Sequence, residues 1–182
     1  VFDSTAKDSL RTERLAELTP RDVAAISKAF AKAGVRNVEL MQALCDHSCG
    51  LLRDGIDQKC YKRPMKSLAR DIYEEDFSAV DGKVDAFDMV TLSDMLSSLA
   101  DQQFVHPQFL ELADEYMQKG LQQPAHEVTK FLRFPQVFAR ALVARARAYI
   151  DPAGRQVFRS AMPHVVETLP VLGARDVVRL VA

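Results

Sequence analysis

Apolar residues in this chain recur at steps of three and four, not in alternation. Val23, Ile26, Phe30 and Ala33 form one such series, and Leu40, Met41, Leu44 and Leu51 form a second. That spacing places apolar side chains on one face of a helix. Thr19, Pro20 and Asp22 supply an N-cap, a first-turn proline and an acid near the positive helix end. Gly34 fits the residue just past a helix, Asn37 caps the next helix, and Gly55 closes it. A helical hairpin is therefore expected over residues 18–55.

The same reading continues along the chain. Residues 1–17 are polar and form an extended lead-in with one helical turn near Thr12–Leu18. A loop leads to a short helix over Met65–Asp76. Asp88 opens a clear helix with Met89, Leu92, Leu96 and Leu99 inward, and Phe109, Leu110, Leu112, Ala113 and Met117 mark the next, ended by Gly120. Short and long helices follow over His126–Leu132 and Gln136–Ile150. Another starts at Asp151-Pro152 and reaches Thr168. No stretch approaches the 18 apolar residues of a transmembrane helix, and scarce glycine disfavours phosphate-cradling loops.

The pattern repeats. Asp22-Val23 aligns with Asp88-Met89, Ile26 with Leu92, Ala29-Phe30 with Met95-Leu96, and Ala33 with Leu99. After a loop three residues longer, Leu40-Met41 aligns with Phe109-Leu110. Arg175-Asp176-Val177 repeats Arg21-Asp22-Val23, so "LGARDVVRLVA" reads as the first half of a further unit. Units about 35 residues apart, or twice that, mark stacked helical pairs. The expected fold is all-α, with stacked antiparallel helical hairpins forming a short α-solenoid as a single domain over 18–182. A short solenoid exposes apolar edges unless capped, which predicts a permanent neighbour.

Leu18-Thr19-Pro20-Arg21-Asp22-Val23, then Ile26, Ala29-Phe30-Ala31, Ala33 and Gly34, resemble the degenerate helical-repeat families of organelle RNA metabolism. These are the octotricopeptide and heptatricopeptide repeats, often found beside RAP domains. The resemblance implies a mitochondrial matrix protein within a ribonucleoprotein, the ribosome above all, with rRNA and neighbouring proteins as partners. The second copy, from Asp88, lacks the Thr-Pro and the Gly. The motif consists of core and cap positions, so it specifies fold better than function.

Charge sharpens the picture. The net charge is −1, yet residues 1–127 carry 15 Lys/Arg against 22 Asp/Glu and residues 128–182 carry 9 against 3. An acidic part facing proteins and a basic part (128–182) facing RNA phosphate would follow. Arg140, Arg145, Arg147, Arg155 and Arg159 are the candidate RNA-binding residues, because a guanidinium donates two bonds to phosphate at once. Arg140 and Arg147 share a helical stripe, and Arg145 lies off it. The bland alternative is a solvated charged face whose Arg stems cover apolar surface. Lys59, Lys62, Arg63 and Lys66 make a smaller basic loop with the same two readings.

Other chemistry is thin. Cys45, His47, Cys49 and Cys60 have zinc-ligand side chains, but on a helix His47 points away from the cysteines. An odd number of cysteines, three, argues for a reducing compartment. "DFSAVDGKVDAFD" resembles a calcium loop with two oxygen ligands missing and Asp88 in place of the closing Glu. His47, His106, His126 and His164 are dispersed, and no catalytic motif is present. No enzyme activity, cofactor, metal, membrane or small-molecule substrate is expected. Beginning at Val1, the chain reads as processed or trimmed, with any targeting segment out of view. The alternatives to a ribonucleoprotein component are a protein–protein scaffold of another organellar complex and a degenerate EF-hand-like calcium binder.

Overall fold

A computed structural model describes residues 12–59, 87–132, 134–148 and 152–168. Among these there are eight α-helices and no strand: α1 (Thr12–Glu17), α2 (Pro20–Lys32), α3 (Val38–Asp57), α4 (Met89–Asp101), α5 (Pro107–Leu121), α6 (Ala125–Phe131), α7 (Pro135–Ala148) and α8 (Pro152–Thr168). The all-α expectation holds. Gly55 does not close α3 but is buried within it, and the helix runs on to Asp57. The helix expected over Met65–Asp76, the loop cations Lys62, Arg63 and Lys66, Cys60 and the final "LGARDVVRLVA" lie outside the described residues.

The caps explain where the helices begin. Thr19 Oγ1 accepts the Asp22 N–H at 3.3 Å, and the Asp22 carboxylate accepts the Thr19 N–H at 3.0 Å. Asp88 accepts the Thr91 N–H at 2.8 Å while Thr91 Oγ1 accepts the Asp88 N–H at 3.0 Å. Both are reciprocal capping boxes. Asn37 Oδ1 caps α3 through the Leu40 N–H, and His106 Nδ1 caps α5 through the Phe109 N–H.

These caps correct the repeat register. Thr19 corresponds to Asp88, Gly34 to Gln103 and Asn37 to His106, each a step of 69 residues. The turns match as well. Gly34 has φ 65° and Gln103 φ 51°. The Val35 N–H bonds the Phe30 carbonyl at 3.1 Å, as the Phe104 N–H bonds that of Leu99 at 2.9 Å. Both are six-to-one Schellman closures. The loop is therefore not three residues longer in the second copy. Pairing Asp22 with Asp88 matched an N3 acid to an N-cap acid, three positions out of step.

Counting from the cap also brings α7 into the pattern, because the Phe138 N–H bonds the Phe134 carbonyl as Val23 bonds Thr19 and Leu92 bonds Asp88. Four residues on lie Val23, Leu92 and Phe138; five on, Ala24, Ser93 and Ala139; eight on, Ser27, Leu96 and Leu142; eleven on, Phe30, Leu99 and Arg145. All twelve are buried. Small side chains five residues after each cap let helix backbones approach, and α2, α4 and α7 pack side by side in one layer. The partner layer runs α1, α3, α5, α8. The result is solenoid-like, with hairpins α2/α3, α4/α5 and α7/α8 stacked along one axis. One continuous core joins them, from Val23 to Val165.

Short α6 is an insertion between the second and third hairpins. Its Phe131 ring lies between Tyr116 and Phe138, with centroids 6.2 and 6.1 Å away. It rests on Gly120, where a Cβ would sit 2.5 Å from the ring. Only glycine admits the aromatic at that point.

Candidate interaction surface

The five candidate arginines fall into three classes. Arg145 is fully buried and grips Asp114 of α5 with two bonds, Nε to Oδ1 at 2.9 Å and Nη2 to Oδ2 at 2.7 Å. This removes it from the RNA-contact set: the guanidinium is enclosed in the core and its fork is filled by a carboxylate. The signal was present in the sequence. Phe138, Leu142 and Arg145 stand at i, i+4 and i+7, so Arg145 continues the apolar stripe.

Arg140 and Arg147 form the second class. Arg140 Nη2 pairs with Asp94 at 2.9 Å and its Nε donates to Ser93 Oγ at 2.8 Å. Asp94 also holds Lys28 at 2.8 Å. One carboxylate on α4 thus links α2 to α7 across three consecutive layer helices. Arg147 pairs with Asp101 at 3.0 Å, both side chains more than half exposed. Much of the charge asymmetry is internal: cations of the third hairpin answer anions of the second. Such partly exposed pairs contribute up to about 1 kcal/mol each and set the order of the helices more than their stability.

Arg155 and Arg159 are the third class. Both are exposed on α8 and make no ion pair with another described residue. They are joined by Met162 and Val166, 53% and 56% exposed. Residues 155, 159, 162 and 166 fall within roughly 60° of one another on a helix turning 100° per residue. They form one open stripe.

That stripe has counterparts. Matching buried positions of α8 (Gly154, Val157, Ala161, Val165) to those of α3 (Met41, Leu44, Ser48, Leu52) places Arg155 at Gln42, Arg159 at Asp46, Met162 at Cys49 and Val166 at Arg53. On α3 Gln42, Asp46 and Arg53 are exposed as well and only Cys49 is buried; Asp46 Oδ1 accepts from His106 Nε2 at the start of α5, at 3.0 Å. The opposite side of α3 faces α1, where His47 Nε2 donates to the Leu18 carbonyl at 2.9 Å. Cys49 is 4% exposed, whereas Met162, in the matching place, is 53% exposed. Sequence reading missed Met162 and Val166 because their period fits a buried face as well as an open one.

The remaining candidates are structural. Cys45 and Cys49 are buried free thiols. Burial, with Asp46 nearby, pushes the Cys49 thiol up to about 11. Burial likewise holds Cys45 well above the ordinary thiol range. His47, bound to Leu18, is turned from them, and no group of three or more His, Cys, Asp or Glu suited to a metal occurs among the described residues. Of the calcium-like loop only Phe87 and Asp88 are described, and the Asp88 carboxylate is engaged in the α4 cap. No described helix is long and apolar enough to cross a membrane.

The chain matches no family model, no curated protein and no solved structure.

Proposed function

We propose that this protein is a non-catalytic helical-repeat component of a larger assembly and docks through the open side of its third hairpin. One observation carries the reading. Met162 and Val166 lie one turn apart and exposed on α8, and the α3 position that matches Met162, Cys49, is buried. Exposed apolar residues aligned in a row mark contact surfaces. The test is sedimentation of native complexes from cells expressing Met162→Asp/Val166→Asp. Surface changes of this kind shift stability by about 0.5 kcal/mol or less, so the variant folds. Its expected behaviour is loss from the fast-sedimenting fraction, and unchanged co-sedimentation refutes the proposal.

A ribonucleoprotein is one such assembly, and the resemblance of residues 18–34 to organelle RNA-repeat units supports a mitochondrial one, the ribosome first. Its RNA contact rests on Arg155 and Arg159, since the other three candidates are held by aspartates. Charge reversal of these two would abolish RNA crosslinking in the particle if they touch phosphate, and steep salt dependence would accompany it.

A further inference from the structure

We propose that the outer side of α2 receives one helix of a partner protein, carrying alanine or serine at i and i+7 and an acid at i+8. This surface is separate from the α8 stripe and lies at the other end of the stack. Within the chain, the interface between neighbours in the layer of α2, α4 and α7 is built twice. α4 turns Thr91, Met95, Ser98 and Gln102 toward α2, and all four are buried. Gln102 Nε2 donates to the Ser27 carbonyl at 3.4 Å. α7 turns Val137, Ala141 and Ala144 toward α4, again buried. These positions stand three, seven, ten and fourteen residues after the cap, within roughly 60° of one another on a helix. On α2 the same places hold Asp22, Ile26, Ala29 and Ala33. Ile26 is half-buried and the other three are exposed. The interface runs through these positions, and on α2 no described helix of this layer lies against them.

The face is not built as an end. Terminal repeats close a solenoid with a polar outer surface. The Asp22 carboxylate is taken up by the capping box with Thr19. What remains, Ile26, Ala29 and Ala33, is less polar than the matched Met95, Ser98 and Gln102 that are buried on α4. The chemistry of the occupant follows from the helices that fill this place further along. Against α4 lies the side of α2 with Ala24 and Ala31, and against α7 lies the side of α4 with Ser93 and Ala100. Short side chains there let backbones approach, and Ala29 and Ala33 leave room for the same closeness. Charge fixes the rest. Thirteen residues after its cap, Arg147 of α7 reaches back to Asp101 of α4, the residue after Ala100. Lys32 holds that position on α2, is exposed, and makes no ion pair with another described residue. An acid in the place of Asp101 would meet it. A second copy stacking head to tail is disfavoured. Its α7 would set Arg147 against Lys32, and its α8 would need the side of α3 that α1 holds.

The experiment uses the full chain and three labelled helical peptides in fluorescence anisotropy. The first has Ala at i and i+7, Glu at i+8, and Leu at i−1, i+3 and i+6, where α4 has Leu92, Leu96 and Leu99. The second has Lys at i+8, and the third has Phe at i and i+7. The first is expected to bind in the micromolar range, the Lys peptide about threefold weaker and the Phe peptide about tenfold weaker or more. Ala29→Gln/Ala33→Gln, bulky and uncharged, should weaken the first peptide about tenfold. Lys32→Glu should reverse the preference between the Glu and Lys peptides. Met162→Asp/Val166→Asp should bind the first peptide as the parent chain does, which separates this surface from the α8 stripe. Melting curves confirm that the variants fold. No binding of the first peptide below about 1 mM, equal affinity for all three peptides, or affinity unchanged in Ala29→Gln/Ala33→Gln overturns the proposal. So does self-association of the chain in sedimentation that Ala29→Gln/Ala33→Gln abolishes, which would assign the face to a second copy.

Discussion

The first and second hairpins, α2/α3 and α4/α5, follow the same path 69 residues apart with different chemistry at matched places. Thr19 and Asp88 both build capping boxes, and Asn37 and His106 both cap the second helix. Gly34 and Gln103 share a left-handed turn. Cys45 and Asp114 share a buried site, but Asp114 is there to receive Arg145. The backbone pattern tolerates these exchanges because each position imposes a role (accept one N–H, adopt positive φ, fill a pocket), and several residue types can perform it. Where the role involves charge, the exchange is tolerated only with its partner.

The largest test of that comparison is Asp114→Cys, which copies the first hairpin into the second. It leaves a buried guanidinium without its carboxylate, and a loss of about 3–5 kcal/mol is expected from denaturant midpoints. Asp114→Cys with Arg145→Leu, which restores the apolar residue found at Phe30 and Leu99, should recover most of it. If the single and double variants melt alike, the ion pair is not what holds the third hairpin to the second. Next comes glycine. Gly120→Ala drives a methyl into the Phe131 ring and should cost about 1–3 kcal/mol. Gly50→Ala, on α3 with nothing within 4 Å of the added carbon, should gain about 0.5–1 kcal/mol. Equal effects would refute the packing of α6 on α5.

A smaller difference tests the turns. Gln103→Gly should stabilise by about 1 kcal/mol and Gly34→Gln destabilise by as much, since a side chain at positive φ costs about that. A null result in both thermal melts would show that the two turns are not alike. The subtlest readout is pH. Cys49 is raised from 9.0 to about 11 in the folded chain. Its contribution is therefore intact below pH 9.0 and is lost as pH rises toward about 11, where the unfolded chain already holds a thiolate. Cys49→Ser should lessen that alkaline decline, with the remainder coming from the buried Cys45, and a slope unchanged from the parent chain would exclude Cys49 as a source.

Much of the fold was legible along the chain. Thr19-Pro20, Asn37 and Asp88 fixed helix starts because caps act over three residues, and periodicity found the apolar faces. Glycine was less dependable. Gly34 ends α2, yet Gly55 and Gly120 lie inside helices. A glycine stops a helix only when the turn requires positive φ, and Gly120 is there to seat Phe131. The candidate site was half legible. The arginines were visible as a class, but the choice among five depended on which carboxylates the stacking brought near.

Sequence by itself determined that this chain is all helical, paired in hairpins and repetitive, because those properties arise from contacts within a few residues. Which charges neutralise one another, and which carboxylate the buried Arg145 meets, were decided only by tertiary structure. Asp94 lies 46 residues before Arg140, and Asp114 lies 31 before Arg145. Nothing local records a partner that arrives only when one hairpin stacks upon another.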